Sequence, residues 1–276
     1  MSKPSIDLCA YLDRIGYGGA TAPSLANLRA IQLAHATRIA FENVDVLLGR
    51  PILLDAAALE RKLVRAGRGG YCFEQNGLLR HALRALDFEV TILAARVRWR
   101  RPDHVMTPRT HMLLRVELPE GPFIADVGFG GATPTVPLAL EAGIEQDTGL
   151  EPFRLLPVGA ELQLQVRAAG EWSTLYQFSL EPLQPVDLDP PNWFVATHPD
   201  SFFVNHLMAA RPTAEGRHAI LDDEYSFQPP DGSVQRRRLN DAAAITAVLR
   251  RDFLLKLSQT DEQLLARRFG NGTTRT

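Results

Sequence analysis

The chain has 276 residues and a formal net charge of −2. That length can bury a substantial core and exceeds the usual single domain, so two or three subdomains are expected. Near-neutral charge argues against nucleic acid as the main partner. The basic clusters at Arg96 to Arg101 and Arg236-Arg237-Arg238 read as solvated strand ends or turns, or alternatively as contacts for an anionic, phosphorylated ligand. Two cysteines, Cys9 and Cys72, do not make a disulfide framework. The N-terminus lacks the apolar core of a signal peptide, and no apolar run approaches transmembrane length. A reducing cytoplasm fits, where Cys72 stays a free thiol, and no membrane partner is expected.

The first third reads as helical. Ser5 can cap a helix with Ile6, Leu8, Leu12 and Ile15, ended by Gly16. Pro23 and Ser24 open a second, with Leu25, Leu28 and Ile31 at helical spacing. Asp55 caps a third through Leu59 and Leu63, stopped by Gly67. A fourth starts near Cys72, with Leu79, Leu83 and Leu86 on one side.

Strands follow. Phe88 to Arg100 alternates and is rich in β-branched residues. His111 to Leu118 places Met112, Leu114, Val116 and Leu118 on one face and His111 on the other. Pro119 to Pro122 reads as a four-residue loop before a strand from Phe123 to Val127. In that register Leu118 faces Phe123 and Asp126 faces Arg115. Asp126 then shares a face with His111 but lies four residues along from it. A long loop is expected from Gly128 to about Gly159. Strands over Glu161 to Ala168 and Trp172 to Leu180 come next, joined by a tight turn at Gly170. The segment from Pro182 to Pro199 is rich in proline and aspartate and reads as a linker. Short strands over Ala219 to Leu221, Tyr225 to Phe227 and Val234 to Leu239 precede two helices. One is capped by Asn240 or Asp241 and runs to Arg251. The other has capping-box spacing at Thr260-Asp261-Glu262-Gln263.

One constellation carries chemistry. Cys72 lies in Arg68-Gly69-Gly70-Tyr71-Cys72-Phe73-Glu74-Gln75-Asn76, at a helix mouth. The unpaired amides and the dipole there favour a thiolate. Two glycines allow close approach. Thr110-His111 and then Ala125-Asp126-Val127-Gly128-Phe129-Gly130-Gly131 follow. In order these are a nucleophile, a base and an orienter, the parts of covalent cysteine catalysis. Asp126 ends an otherwise apolar strand, so its carboxylate needs a partner. Zinc held by the same three residues is the rival, but no CxxC, HxxxH or HxxE spacing supports it. Gly128 to Pro134 looks like a phosphate loop without the Gly-Lys-Ser/Thr of a Walker sequence, and a plain turn is its alternative. Cys9, in an amphipathic helix, reads as inert.

These residues resemble the arylamine N-acetyltransferases. The match includes Phe41-Glu42-Asn43-Val44-Asp45, the stretch from Arg68 to Asn76, Thr110-His111, the run from Asp126 to Gly131, and Asn192 to Pro199. One departure is Ala40, where the family often has proline. The resemblance implies an α+β protein of three regions around a papain- or transglutaminase-like Cys-His-Asp core. These are a helical bundle carrying the nucleophile (1–87), a β-barrel-like domain carrying His and Asp and ending in the linker (88–195), and an α/β lid (196–276). It implies acetyl-CoA as co-substrate, with no permanently bound cofactor and no metal. Cys72 would take the acetyl group as a thioester and pass it to an arylamine, arylhydrazine or N-hydroxyarylamine. The backbones of Cys72 and Thr110 would serve the oxyanion. Phe41, Tyr71, Val97, Phe129 and Phe203 would form an apolar slot, ordinary core packing being their alternative. Gly128, Gly130, Gly131 and Thr133 would meet the cofactor. A monomer or a homodimer is compatible. An amide synthase, a thiol acyl hydrolase, or a silent scaffold protein are the competing readings on the same framework.

Overall fold

The computed structural model describes residues 6–102, 104–168 and 170–270. Ser5 lies outside them. Helix α1, Leu8–Ile15, is capped instead by Asp7, whose carboxylate accepts from the Ala10 amide, and it stops at Gly16 with φ of 69°. Helix α2, Leu25–Arg38, is capped by Ser24 as expected. Two short elements then appear that their length hides from periodicity: strand β1, Phe41–Glu42, and helix α3, Val44–Leu47. Helix α4, Ala56–Leu59, starts on Asp55 and widens into a π-type turn over Glu60–Arg65. Helix α5, Cys72–Ala85, begins at the cysteine itself.

The middle of the chain is one antiparallel sheet. Its strands are β2 (Glu89–Val97), β3 (Arg109–Leu118), β4 (Gly121–Ala125), β5 (Leu138–Ala139), β6 (Glu145–Gln146), β7 (Phe153–Val158), β8 (Glu161–Ala168) and β9 (Glu171–Phe178). They run in the order β5-β4-β3-β2-β9-β8-β7-β6. The end strands meet through a side chain. The Gln146 carboxamide accepts from the Ala139 amide at 2.7 Å and donates to its carbonyl at 3.0 Å. The sheet is thereby nearly closed into a barrel. The loop expected from Gly128 to Gly159 holds three of these strands. Two have only two residues each, and the third contains Pro157, which obscures a strand signal.

Strand β3 is buried on both faces. Met112, Leu114 and Val116 pack against the helices, where α5 contributes Leu78, Leu79, Ala82 and Leu83. Leu113 faces the barrel interior with Leu93, Ile124, Phe153, Leu155 and Tyr176.

The expected linker is structured. A 3-10 turn over Pro185–Leu188 leads into helix α6, Asp189–Thr197, and a single-turn helix α7, Phe202–Asn205. Pro190 and Pro191 stand in the first turn of α6, where a missing amide needs no partner. Residues that read as breakers start a helix here, and the expected boundary at 195 falls inside it. The last region has strands β10 (Met208–Thr213), β11 (Gly216–Leu221), β12 (Glu224–Gln228) and β13 (Gln235–Arg238) and helices α8 (Ala242–Arg251) and α9 (Gln259–Phe269). Its sheet is completed by β1, with Phe41 opposite Ala210 and Glu42 opposite Ala209. Asp241 caps α8. The capping box of α9 is Ser258 with Asp261, two residues before the expected Thr260. Arg236 and Arg238 lie on the exposed edge strand β13, paired with Glu224 and Asp223 at 3.4 and 3.1 Å.

Candidate active site

The approach to α5 is fixed by ion pairs and close backbone contacts. Arg68 donates twice to Glu42 Oε1, at 3.1 and 2.8 Å, and the Gly69 amide adds a third bond at 3.2 Å. A Cβ on Gly69 would lie 2.1 Å from the Ala40 carbonyl oxygen, and one on Gly70 would lie 2.6 Å from Glu74 Oε2. The glycines therefore admit the neighbouring strand and the Glu74 carboxylate. Glu74 accepts from the Tyr71 amide at 3.1 Å and from Lys62 Nζ at 2.7 Å. Gln75 donates to the carbonyls of Ala40 and Gly70, at 2.7 and 3.2 Å. Its oxygen meets His35 Nε2 at 2.7 Å. Burial pushes His35 down to about 4, so this ring is neutral at neutral pH.

Cys72 opens the helix and is buried. Its Sγ lies 3.6 Å from the Thr110 carbonyl oxygen. The β2–β3 ladder explains that contact. Ala95 pairs with His111 and Arg96 with Arg109, so Thr110 is an extra residue in a bulge. Its backbone is released from the ladder and turned to the thiol.

His111 Nε2 and Asp126 Oδ2 are 2.7 Å apart, both groups buried. The register that joins them differs from the expected one. The β3–β4 turn has two residues, with Leu118 opposite Gly121 and Leu114 opposite Ala125. Continuing that count puts Asp126 beside Leu113, two residues from His111 and on its face. Arg115 is thereby freed from Asp126 and pairs with Glu117 at 2.5 Å. The other Asp126 oxygen accepts from Asn76 Nδ2 at 2.9 Å and from the Gly128 amide at 2.8 Å.

Burial alone would lower the His111 pKa. The Asp126 charge, its hydrogen bond and the Cys72 side chain outweigh that and raise it to about 10. Burial would raise Asp126, but His111 and the Asn76 bond hold it below its usual value. The His111 ring packs against Tyr176 at 4.9 Å and edge-on to Phe129 at 5.2 Å. Asn76 and Tyr176 are site residues that sequence reasoning left without a role. Asn76 carried a signal, a polar residue four positions after Cys72 on the same helix face. Tyr176 carried none, since it comes from a strand remote in the chain.

The expected wall residues are partly united. Phe203 meets Phe41 at 5.8 Å and Tyr71 at 5.9 Å. Tyr71 is fully buried and its hydroxyl bonds the Asn192 side chain, so it supports this cluster from behind and does not line it. Phe129 stands with His111, and Val97 lies on β2 opposite Tyr176. A cavity of about 220 Å³ opens beside His111, bounded by Phe73, Arg109, Leu183, Leu188 and Pro191. Three of these come from the segment that read as a linker. In the glycine loop, a Cβ on Gly128 would meet the Cys72 Cα at 2.7 Å. Gly130 has φ of 81° and sits under Phe41, and Gly131 is exposed. Thr133 is buried, and its carbonyl accepts from Arg217 at 2.9 Å. Gly128 and Thr133 thus have packing roles of their own. Among the described residues no three His, Cys, Asp or Glu side chains cluster to hold a metal ion. No described helix is long and apolar enough to cross a membrane.

Fold and site define a class in which a helix N-terminus presents a thiol to a histidine–carboxylate pair carried on a barrel-like sheet. A family model described as N-acetyltransferase matches residues 24–262. The arylamine N-acetyltransferase of Mycolicibacterium smegmatis is 43% identical over 245 residues, covering 87% of this chain and 89% of that protein. A Salmonella typhimurium relative named arylamine N-acetyltransferase / N-hydroxyarylamine O-acetyltransferase is 40% identical, covering 89% and 88%. The structure of Mycobacterium marinum arylamine N-acetyltransferase in complex with CoA superposes with a TM-score of 0.90 at 42% identity, over 95% of this chain and 99% of that one. The chain belongs to the arylamine N-acetyltransferase family.

Proposed function

We propose that the protein transfers the acetyl group of acetyl-CoA to arylamines, arylhydrazines and N-hydroxyarylamines by way of a thioester on Cys72. The observation that carries the mechanism is the pairing of a buried His111–Asp126 ion pair with a thiol at the first turn of α5. With Nε2 committed to Asp126, Nδ1 of His111 is the nitrogen left for Cys72. His111 holds the proton, which leaves a thiolate beside an imidazolium. Asp126 stabilises that cation and fixes the ring.

The thiolate attacks the acetyl carbonyl, and the C–S bond to CoA breaks as His111 gives its proton to the departing sulfur. The Cys72 amide at the first position of α5 lacks an intrahelical acceptor and would donate to the oxyanion. The Thr110 group that faces the thiol is a carbonyl, so a contribution from Thr110 would have to come from its N–H. The amine then attacks the thioester and His111 accepts its proton, restoring the starting pair. The Phe41–Phe203 pair, and Phe129 beside His111 with Val97 on β2, are the apolar groups we assign to a flat aromatic acceptor. Of the loop glycines, the exposed Gly131 is the one left open to meet CoA, while Gly130 is buried under Phe41. A cytoplasmic enzyme fits the two free thiols.

The test is steady-state kinetics with both substrates varied, together with mass spectrometry of the enzyme after acetyl-CoA alone. Parallel double-reciprocal lines and an acetyl adduct on Cys72 are expected. Intersecting lines without an adduct would mean direct transfer in a ternary complex.

A further inference from the structure

Asn43 holds the N-cap position of α3, yet its side chain makes no cap hydrogen bond. The Val44 amide is taken by Glu42 Oε2 at 2.6 Å instead. The Asn43 carboxamide serves a segment 160 or more residues away. Its Nδ2 donates to the Phe203 carbonyl at 2.8 Å and to the His206 carbonyl at 2.7 Å. Its Oδ1 accepts from the Met208 amide at 2.7 Å. Its own amide donates to the Met208 carbonyl at 3.2 Å. The side chain thus extends the β1–β10 ladder by one step and is itself 2% exposed.

The clamped segment is only partly held from within, by Asn205 Nδ2 donating to the Pro199 and Ser201 carbonyls at 2.6 and 2.9 Å. Helix α7 is one turn of four residues with no side-chain cap. The Phe203 ring that it carries leaves the helix to pack on Phe41 and Tyr71. Further ties lie on the partly exposed side: His206 Nδ1 meets Asp222 Oδ2 at 2.6 Å, the Leu207 amide donates to Asp222 Oδ1 at 2.9 Å, and Arg268 donates to the Asn205 carbonyl at 3.1 Å. Asn43 is the buried tie, and it lies two residues after Phe41, on the same short strand and turn. One buried carboxamide thereby links the backbone beside Phe41 to that of Phe203, the two ring centroids lying 5.8 Å apart.

We propose that Asn43 is a positioning residue for acceptor selectivity: by gripping the carbonyls of Phe203 and His206 it sets the width of the aromatic slot beside Cys72. This rests on the reading of Phe203 as an acceptor wall. Two substitutions separate the clamp from the fold. Asn43→Asp keeps the acceptor for Met208 but loses both donors and turns an oxygen toward two carbonyl oxygens. Asn43→Ser suits the N-cap of α3 and is too short to reach α7.

The experiment measures each half-reaction in these variants, in Phe203→Ala, and in the doubles. CoA release without acceptor reads acetylation of Cys72. Acceptor kcat and KM are then taken with aniline and with a wider amine, 4-aminobiphenyl. CoA release in the Asn43 variants should stay within about twofold of wild type. Acceptor KM should rise about tenfold, the worth of a lost buried hydrogen bond, and more for one amine than the other. In the Phe203→Ala background the same Asn43 change should move acceptor KM by less than about twofold. Equal losses in both half-reactions, or effects that add in the double variant, would overturn the proposal. If Phe203→Ala by itself leaves acceptor KM unchanged, the reading of the acceptor wall is what fails. If Asn43→Asp does not fold, Asn43→Ser carries the test alone.

Discussion

Asn76 Nδ2 donates to Asp126 Oδ1 at 2.9 Å, and Asn76 lies one helical turn after Cys72 on α5. The helix that presents the thiol therefore also grips the carboxylate on the far side of the imidazole. Asn76 has both Nδ2 hydrogens and its Oδ1 engaged. It donates to the Met112 carbonyl at 2.7 Å and accepts from the Val127 amide at 2.9 Å. Helix α5, β3 and the end of β4 are thereby locked to one another at the point where Cys72, His111 and Asp126 converge.

That geometry decides how Asp126→Asn fails. Two donors, Asn76 Nδ2 and the Gly128 amide, converge on Oδ1. The carboxamide oxygen will take that place, which turns its NH₂ toward His111 Nε2. His111 must then accept at Nε2 and carry its proton on Nδ1, with no negative charge to support an imidazolium. The expected loss in kcat/KM is on the order of 10²–10⁴, by comparison with the analogous serine-protease change and allowing for a better intrinsic nucleophile. Wild-type turnover in a folded Asp126→Asn protein would remove Asp126 from the mechanism.

Cys72→Ala should abolish acetyl transfer and leave the fold intact, since one buried Sγ against Thr110 is removed. Cys9→Ala should be close to silent, because Cys9 is exposed on α1. Circular dichroism and the acetylation assay read both. Residual turnover near wild type in Cys72→Ala would sink the thioester route.

Gly128→Ala tests how tightly the thiol is seated. The added methyl would fall 2.7 Å from Cys72 Cα and 3.1 Å from its carbonyl oxygen, so backbone must move. A displacement of about 1 Å at the reacting atom can cost about 10²-fold in rate. The expectation is a fall of that order in kcat with the protein still folded. Unchanged kcat would mean that α5 can shift without harm to the reaction.

The buried pair also makes stability depend on pH. The folded His111 pKa, about 10, is above its ordinary 6.5. The pair's contribution is therefore complete below about 6.5 and is lost as pH rises through about 10. Asp126 is depressed, so at the acid end the contribution is lost as pH falls through its folded value. Urea unfolding of wild type and His111→Gln should show the wild-type stability declining relative to the variant between about pH 6.5 and 10. A relative stability that rises over that range would contradict the charged pair.

Much of this protein is legible without coordinates. Helix caps at Ser24, Asp55 and Asp241 were readable because a side-chain oxygen serves amides two or three residues away, a local matter. The order Cys72, His111, Asp126 and the motif blocks around them carried the family resemblance and the chemistry. Contact between His111 and Asp126 was not readable. It hangs on a two-residue turn at Pro119-Glu120, and prolines at 119 and 122 make a longer loop look equally natural. The prolines of α6 misled for a related reason, since the same residue breaks a helix interior and starts a helix. Strands β5 and β6 are too short to show alternation; they are fixed by pairing with β4 and β7, and they meet each other through Gln146. The bulge at Thr110, the grip of Asn76 and the reach of Asn43 join residues tens to more than a hundred positions apart. Local propensity determined which residues were available. Only long-range packing, through hydrogen bonds that no neighbour in sequence could supply, decided which of them meet.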